Sequence, residues 1–187
     1  MTNLRYAVAE IVERAQMEFA NDTRLCIITK SMPELTIAGK KMGPYSPDME
    51  VFFPNWAIDT LLKHGFIEVD QRDDYASFQR IQDAYIQEED HTHMGLHSIH
   101  PLLYAAISRK LIKLRSEKSS LDPKQYDEIE KLSRLLGIIS QKRLSKILRV
   151  AVSGAYADMR SDMTLEERWL CQELSKTISE WKNHLFL

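Results

Sequence analysis

The segment that most restricts the fold is residues 39–57, where short apolar runs alternate with residues that favour turns. Gly43 and Pro44 form one turn signal, because glycine adopts positive φ at little cost and proline fixes its own φ. The Ser-Pro-Asp run at 46–48 forms a second signal of the same kind. A chain with two turn signals so close together is predicted to fold back on itself as short strands rather than as one helix.

A helix-like segment over residues 55–64 follows Pro54 directly, and Gly65 comes immediately after its last residue. Proline before a helix and glycine just beyond its end are the usual boundaries of a short helix. The short apolar runs around these features are predicted strands at residues 35–38, 51–53 and 66–69. This part of the chain is therefore predicted to be a small β domain with one embedded helix.

Most of the remaining chain has apolar residues at helical spacing. The predicted helices cover residues 3–19, 73–89, 101–115, a long periodic segment from 122 to 159, and 164–181. The long segment begins with an Asp-Pro start signal, and Gly137 is interpreted as a close-packing point within it. The last helix begins with a capping box formed by Thr164 and Glu167. The fold class is accordingly predicted to be α+β and mainly α.

The chain has 187 residues and is 44% hydrophobic, which is enough for one core or two small ones. Because a turn-rich part lies beside a helical remainder, we favour two domains. We expect an N-terminal helix at residues 1–20, a small β-rich domain at 21–71, a helix and connector at 72–100, and a helical assembly domain at 101–187.

The formal net charge of −2 argues against a protein that coats nucleic acid. Two local clusters of cations stand out: Lys110, Lys113, Arg115 and Lys118, and then Lys142, Arg143, Lys146 and Arg149. We interpret both as solvated helix faces or as packed aliphatic stems rather than as DNA sites. A DNA-binding adaptor that uses the first cluster is kept as an alternative, and it would show binding that weakens steeply with salt.

Cys26 and Cys171 are far apart and match no disulfide framework, which favours a reducing compartment. No apolar run reaches the length of a membrane span, and the N-terminus resembles an amphipathic helix rather than a signal peptide. These patterns predict a soluble intracellular protein with no membrane contact.

Histidines concentrate beside three carboxylates in residues 88–100, and four of the chain's six lie there: His91, His93, His97 and His100. Histidine and carboxylate side chains can ligate zinc, so a metal-dependent hydrolase is one alternative. The spacing matches no metal-site signature, however, and Gly95 and Pro101 both disfavour a helix that would align the ligands. We interpret the segment as a polar connector, with no catalytic residue, metal or cofactor assigned. No phosphate loop, dinucleotide fingerprint or nucleophile elbow is present either.

The order of the motifs resembles that of GINS replication-complex subunits over residues 25–181. In the β part the resemblance rests on the run 35–39 and on Gly43, Pro44, Tyr45, Pro54 and Trp56. In the helical part it rests on three segments, namely 98–104, the Arg-x-x-Lys run at 142–147 and the Leu-Thr-x-Glu-Glu-like start at 163–167.

This resemblance implies a non-enzymatic scaffold of the archaeal class in which the β domain precedes the helical domain. That class is related to the second and third partner subunits of the eukaryotic complex. The implied partners are a sister GINS subunit in a 2:2 tetramer, the MCM helicase, a RecJ-like or Cdc-type protein, and a polymerase or primase. The implied location is the cytoplasm, at replication forks on the nucleoid, with indirect or weak DNA contact.

The resemblance and the apolar pattern together assign one group of residues to the intramolecular core or to the tetramer interface: Leu102, Tyr104, Leu132, Leu135, Ile139, Trp169 and Leu170. Between these two locations the sequence does not decide. Arg143 and Lys146 are expected to form ion pairs within the helical domain rather than to contact DNA.

Overall fold

A computed structural model of the chain describes residues 4–37, 39–70, 77–89, 95–116 and 123–185. The chain divides into two compact units, Met17–Tyr75 and Met1–Gln16 together with Ala76–Leu187. The first is called the β unit and the second the helical unit. The fold is α+β and mainly α, as predicted.

Helix α1 (Leu4–Asn21) spans the division between the two units, which falls after Gln16. The apolar residues at helical spacing that predicted this helix include Val8, Ala15 and Phe19. Ala15 and Phe19 are buried, but Val8 is 43% exposed, so the buried face is confined to the later turns of the helix.

The β unit contains a three-stranded antiparallel sheet with the order β4-β1-β5. Its strands are β1 (Thr23–Ile28), β4 (Glu50–Pro54) and β5 (Ile67–Val69). A separate hairpin pairs β2 (Leu35–Ile37) with β3 (Lys40–Met42). The predicted strands at 35–38, 51–53 and 66–69 correspond to β2, β4 and β5, although Ala38 lies outside the described residues. Strands β1 and β3 were not predicted.

Helix α2 (Asn55–Lys63) follows β4 directly, as the sequence predicted. The Asn55 side chain is buried at its start, where Nδ2 donates to the Phe19 carbonyl at 2.8 Å and Oδ1 accepts from Arg24 Nε at 2.6 Å. Ile58 of α2 is fully buried against the inner face of the sheet. The core of the unit also contains Cys26, Ile28, Met32, Phe53 and Ile67.

The turn signals of the β unit have the predicted effect. Gly43 has a φ of +91° and precedes a cis peptide bond to Pro44. A Cβ atom at Gly43 would lie 3.0 Å from the Pro33 carbonyl oxygen, so only glycine fits there without a shift. Met32 and Tyr45 close the loop through a pair of backbone hydrogen bonds of 3.0 Å each.

The helical unit packs its helices around the longest of them, α5 (Pro123–Ser153). Helices α3 (Phe78–Glu89), α4 (Leu103–Ser116) and α7 (Leu165–Leu185) each contact α5. The core between α3, α4 and α5 includes Ile81, Ile107, Leu132 and Ile139, all fully buried. A second cluster joins the end of α5 to α7 through Ile147, Ala151 and Cys171, with Met163 and Leu96.

Two expectations about α5 are wrong. The helix ends at Ser153 rather than continuing to Met159, because Gly154 adopts a φ of +77° and breaks it. A separate short helix α6 (Tyr156–Met159) and a 3-10 turn at Arg160–Asp162 follow. Gly137 is not a close-packing point, since it is exposed and a Cβ there would have no heavy atom within 4 Å.

None of the helices within the described ranges is long and apolar enough to span a membrane. Cys26 and Cys171 are both buried, one in each unit, and no disulfide joins them. Burial raises the pKa of the Cys171 thiol, which lowers its reactivity.

Candidate functional site

The helical unit is organised around the guanidinium group of Arg143, which projects from α5 and is fully buried. Its Nε and Nη2 donate to the two carboxylate oxygens of Glu167 at 2.7 and 2.8 Å. Its Nη1 donates to Glu88 and to the backbone carbonyl of His97, the latter at 2.8 Å, and Nη2 also donates to the Asp162 carbonyl at 2.7 Å. Arginine has five N–H donors, and all five are therefore used.

Lys146 follows Arg143 by three residues and lies on the same side of α5. Its Nζ donates to the second oxygen of Glu88 at 2.6 Å, and the Glu88 side chain is fully buried. Glu88 therefore bridges both cations. With Glu167 included, the cluster contains two positive and two negative groups, so its formal charges balance.

Glu167 holds a second role at the start of α7. Its Oε2 accepts from the Thr164 amide at 2.9 Å, while its own amide donates to Thr164 Oγ1 at 3.3 Å. This reciprocal pair is the predicted capping box. The carboxylate that caps α7 is thus the same one that pairs with Arg143.

Tyr104 of α4 completes the cluster by donating its hydroxyl to Glu167 Oε1 at 2.7 Å. Burial and the negative charge of Glu167 both raise the pKa of the Tyr104 phenol, which keeps it protonated as a donor. Burial lowers the pKa of Arg143, but Glu167 and Glu88 more than offset this, so the guanidinium stays charged. We call Glu88, Tyr104, Arg143, Lys146 and Glu167 the ion network.

The ion network links helices α3, α4, α5 and α7 to the backbone at His97 and Asp162. Removing one member of a buried ion pair typically costs about 3–5 kcal/mol, because the partner charge stays buried. The network therefore holds the relative positions of these segments. Its role is structural, since every donor of Arg143 is occupied by the chain itself.

The histidine cluster divides between described and undescribed residues. His91 and His93 lie outside the described residues. His100 accepts a hydrogen bond from the Leu102 amide through Nδ1 at 3.2 Å, and the backbone of His97 contacts the ion network. No group of three or more ligand-type side chains that could hold a metal occurs in the described part of the chain.

The two predicted basic clusters do not form two cationic surfaces. In the second cluster Arg143 and Lys146 are buried, and Lys142 pairs with Glu89 at 3.2 Å. In the first cluster Lys110 pairs with Glu128 at 3.1 Å and Arg115 donates to Ser133 Oγ at 3.4 Å; Lys118 lies outside the described residues. Of the two interpretations given for the second cluster, packed stems describe Arg143 and Lys146, whose charged ends face carboxylates inside the unit.

The residues predicted for the core or the interface fall into two groups. Leu102, Leu132 and Ile139 are buried within this chain. The other four are half-buried: Tyr104, Leu135, Trp169 and Leu170. The second group therefore keeps accessible surface.

A feature that the sequence analysis missed is an exposed apolar row on α5. Leu144, Leu148 and Val152 are 42%, 41% and 56% exposed and lie four residues apart, which places them along one side of the helix. We call these three residues the α5 stripe. A groove of about 410 Å³ beside it is lined by Tyr104, Leu144 and Leu170, among others. The i, i+4 spacing of these three residues is the sequence signal that could have revealed the stripe. The stripe is offset by one residue from the buried row of Arg143, Ile147 and Ala151.

Besides the run 35–39, the β-unit residues that carried the resemblance lie in the loop after β3 and at the junction of β4 with α2. Tyr45 contacts Phe53 edge to face, with ring centroids 5.5 Å apart, and Pro54 precedes α2. Trp56 is 41% exposed. Tyr45 and Trp56 line an apolar pocket of the β unit, whereas Pro54 does not.

A comparison with protein families matches the helical part of the chain. The family model Sld5, described as the GINS complex protein helical bundle domain, matches residues 76–186. The match covers α3 through α7 and hence the whole ion network. No curated protein matches the chain.

Proposed function

The chain belongs to the GINS family of non-catalytic structural components of a DNA-replication complex, and we propose that it is a scaffold that assembles with a sister GINS subunit. The other subunits of the complex are the partners that membership of this family implies. We further propose which surface of the chain contacts these subunits.

The α5 stripe is the observation that carries this proposal. Three large aliphatic side chains lie on one helix side with roughly half of each accessible, beside a groove that is almost entirely apolar. Contiguous exposed apolar surface of this kind marks protein interfaces. We propose that a helix of the sister subunit covers the α5 stripe and contacts the half-buried Leu170 and Trp169.

The ion network supports the same proposal from inside the unit. A docking surface contributes more affinity when it is ordered before binding, because less entropy is lost. Arg143 immediately precedes Leu144 in α5, so the buried guanidinium fixes the helix segment that presents the stripe. The network thus gives the proposed interface a rigid base.

From the resemblance we further propose an archaeal-type subunit related to the second and third eukaryotic partner subunits, acting in a 2:2 heterotetramer. It would support the MCM helicase together with a RecJ-like or Cdc-type partner, and would meet a polymerase or primase at forks on the nucleoid. DNA contact would be indirect or weak, because the cations of the α5 cluster at Arg143 and Lys146 are buried and paired.

We also propose a division of labour along the chain. Residues 101–187 form the assembly domain, residues 72–100 are the helix and connector, and residues 21–71 dock on a further partner. Residues 1–20 contribute the helix that precedes the β domain.

The test is co-expression of the full chain with the sister subunit from the same genome, followed by light scattering after gel filtration. We expect a stable tetramer with the wild type. We expect the double variant Leu144→Ser/Leu148→Ser to bind the sister subunit about 100-fold more weakly or worse, because two central aliphatic anchors are removed.

The matched control is Ile112→Ser on α4, since Ile112 is 59% exposed and lies outside the stripe. This variant should assemble like the wild type. A folded double variant that still assembles fully would overturn the proposed interface, and a wild-type monomer that ignores the sister subunit would overturn the assembly role itself.

A further inference from the structure

The β unit contains an apolar pocket of about 240 Å³ between the β2–β3 hairpin and α2. Leu35 and Met42 are directly opposed residues of the hairpin, so their side chains lie on the same face and form one wall. Trp56 and Leu61 of α2 form the opposite wall. The pocket therefore belongs to a single unit of the chain.

The floor of this pocket is well ordered by packing, whereas its walls are accessible. Phe53 and Ala57 on the floor are only 2% and 5% exposed. Leu35 and Trp56 on the walls are 37% and 41% exposed, so both remain open to a ligand. Met42 adds an unbranched side chain that can adapt to the shape of an occupant.

The size and lining of the pocket restrict its occupant. Pockets for drug-sized ligands and cofactors are usually about 300–1,000 Å³ and carry a few polar groups that orient the ligand. This pocket is smaller, and Thr60 supplies the one polar side chain apart from the Tyr45 hydroxyl among its lining residues. Such a space suits one large apolar side chain whose orientation is set by the backbone that carries it.

The hairpin beside the pocket supplies the means to hold such a backbone. In the described residues β2 and β3 pair only with each other, so each has an outer edge that can accept an added strand. The hairpin segment 35–42 carries two lysines and no carboxylate. Lys41 pairs with Glu34 at 2.8 Å, but its side chain is 73% exposed, and a pair this exposed contributes little. A partner's carboxylate can therefore compete for it.

We infer that the pocket receives one leucine or aromatic side chain from an extended segment of a partner protein, with acidic residues on either side of that anchor. Trp56 and Leu35 enclose the anchor, and Lys41 of β3 attracts a flanking carboxylate. This inference rests on the proposed function only in giving the β unit a docking role. It does not depend on the α5 stripe, which lies in the other unit.

The experiment is a titration of the ¹⁵N-labelled full chain with three tripeptide probes, observed by two-dimensional NMR at low salt. The probes are acetyl-Asp-Phe-Asp-amide, its Ala analogue with the same charges, and acetyl-Lys-Phe-Lys-amide. We expect saturable shifts at the Trp56 indole and at Leu61 with the acidic Phe probe. The Ala probe should bind about tenfold more weakly or worse, because the anchor is absent.

Two variants complete the test. Thr60→Trp places a large ring at the pocket mouth and should abolish binding of the acidic Phe probe. Thr177→Trp makes the same replacement at an exposed residue of α7, in the other unit, and should leave binding unchanged. Dispersed spectra of both variants establish that they fold.

Equal binding of the Phe and Ala probes, equal binding of the acidic and basic probes, or retained binding in Thr60→Trp would overturn the inference. So would concentration-dependent shifts at Trp56 without any probe, because they would assign the pocket to a second copy of the chain. Assembly of Thr60→Trp with the sister subunit should remain normal, which separates failure of the pocket from failure of the scaffold proposal.

Discussion

Arg143 and Glu167 meet through two parallel hydrogen bonds, Nε to Oε1 at 2.7 Å and Nη2 to Oε2 at 2.8 Å. This geometry requires the planar fork of a guanidinium group, because a lysine ammonium cannot present two parallel donors. The remaining three donors of Arg143 are also used within the chain. The identity of this residue is therefore determined by geometry as well as by charge.

We expect Arg143→Lys to lower the free energy of unfolding by about 3 kcal/mol although the charge is kept. The ammonium can satisfy only some of the five acceptors, and Glu88 or Glu167 then remains buried with too few donors. Urea unfolding of the isolated chain, followed by circular dichroism, measures the change.

The control for this substitution is Arg149→Lys, six residues later on the exposed side of α5. Exposed substitutions usually change stability by about 0.5 kcal/mol or less. If Arg143→Lys were as mild as Arg149→Lys, the shared bonds with Glu167 would not be important for stability.

The raised pKa of Tyr104 predicts a specific loss of stability in alkali. Burial and the charge of Glu167 make the folded chain hold the phenolic proton more tightly than the unfolded chain, whose tyrosines titrate near about pH 10. This contribution to stability is fully present below that pH and is lost as the pH rises above it. Unfolding free energies measured from pH 8 to 11 should fall more steeply for the wild type than for Tyr104→Phe.

Tyr126→Phe is the matched control for this pH series, since Tyr126 is 62% exposed. Its profile should run parallel to that of the wild type. If the profile of Tyr104→Phe were also parallel to that of the wild type, the phenol of Tyr104 would not ionise on unfolding between pH 8 and 11.

Gly137 and Gly154 should respond to alanine in opposite directions. Gly137 lies inside α5 with open space around it, so Gly137→Ala should stabilise the chain by about 0.5–1 kcal/mol through helix propensity. Gly154 has a φ of +77°, where a side chain costs about 1–2 kcal/mol, so Gly154→Ala should destabilise it. Thermal unfolding of the two variants side by side provides the comparison, and a shift of the same sign in both would refute the assignment of the α5 boundary.

Local signals predicted the parts of the fold that depend on neighbouring residues. The capping box at Thr164 and the turn at Gly43-Pro44 were predicted because the residues that form them are adjacent or three apart. Strand β1 was missed because only Asp22 separates it from α1, with no glycine or proline to mark the change. Strand β3 was missed because its two lysines favour no strand, and its pairing with β2 stabilises it instead.

The ion network shows why the site itself was only partly predictable. Ion pairing of Arg143 and Lys146 within the helical domain was predicted correctly. The sequence did not predict that Glu88 is the partner shared by these two cations, because Glu88 lies 55 residues from Arg143 in the chain. Glu88 was instead grouped with the histidines as a potential metal ligand. A single sequence contains no signal that brings two such distant residues together.

The α5 stripe begins one residue after Arg143, and this offset constrains the length of the helix. Each residue turns an α-helix by about 100°, so one residue inserted after Arg143 would rotate Leu144, Leu148 and Val152 away from their present side. It would also rotate Lys146 away from Glu88. Helix α5 can therefore accept many substitutions on its surface but no change in residue number between Arg143 and Val152, because a single insertion would disrupt the interior and the exposed stripe together.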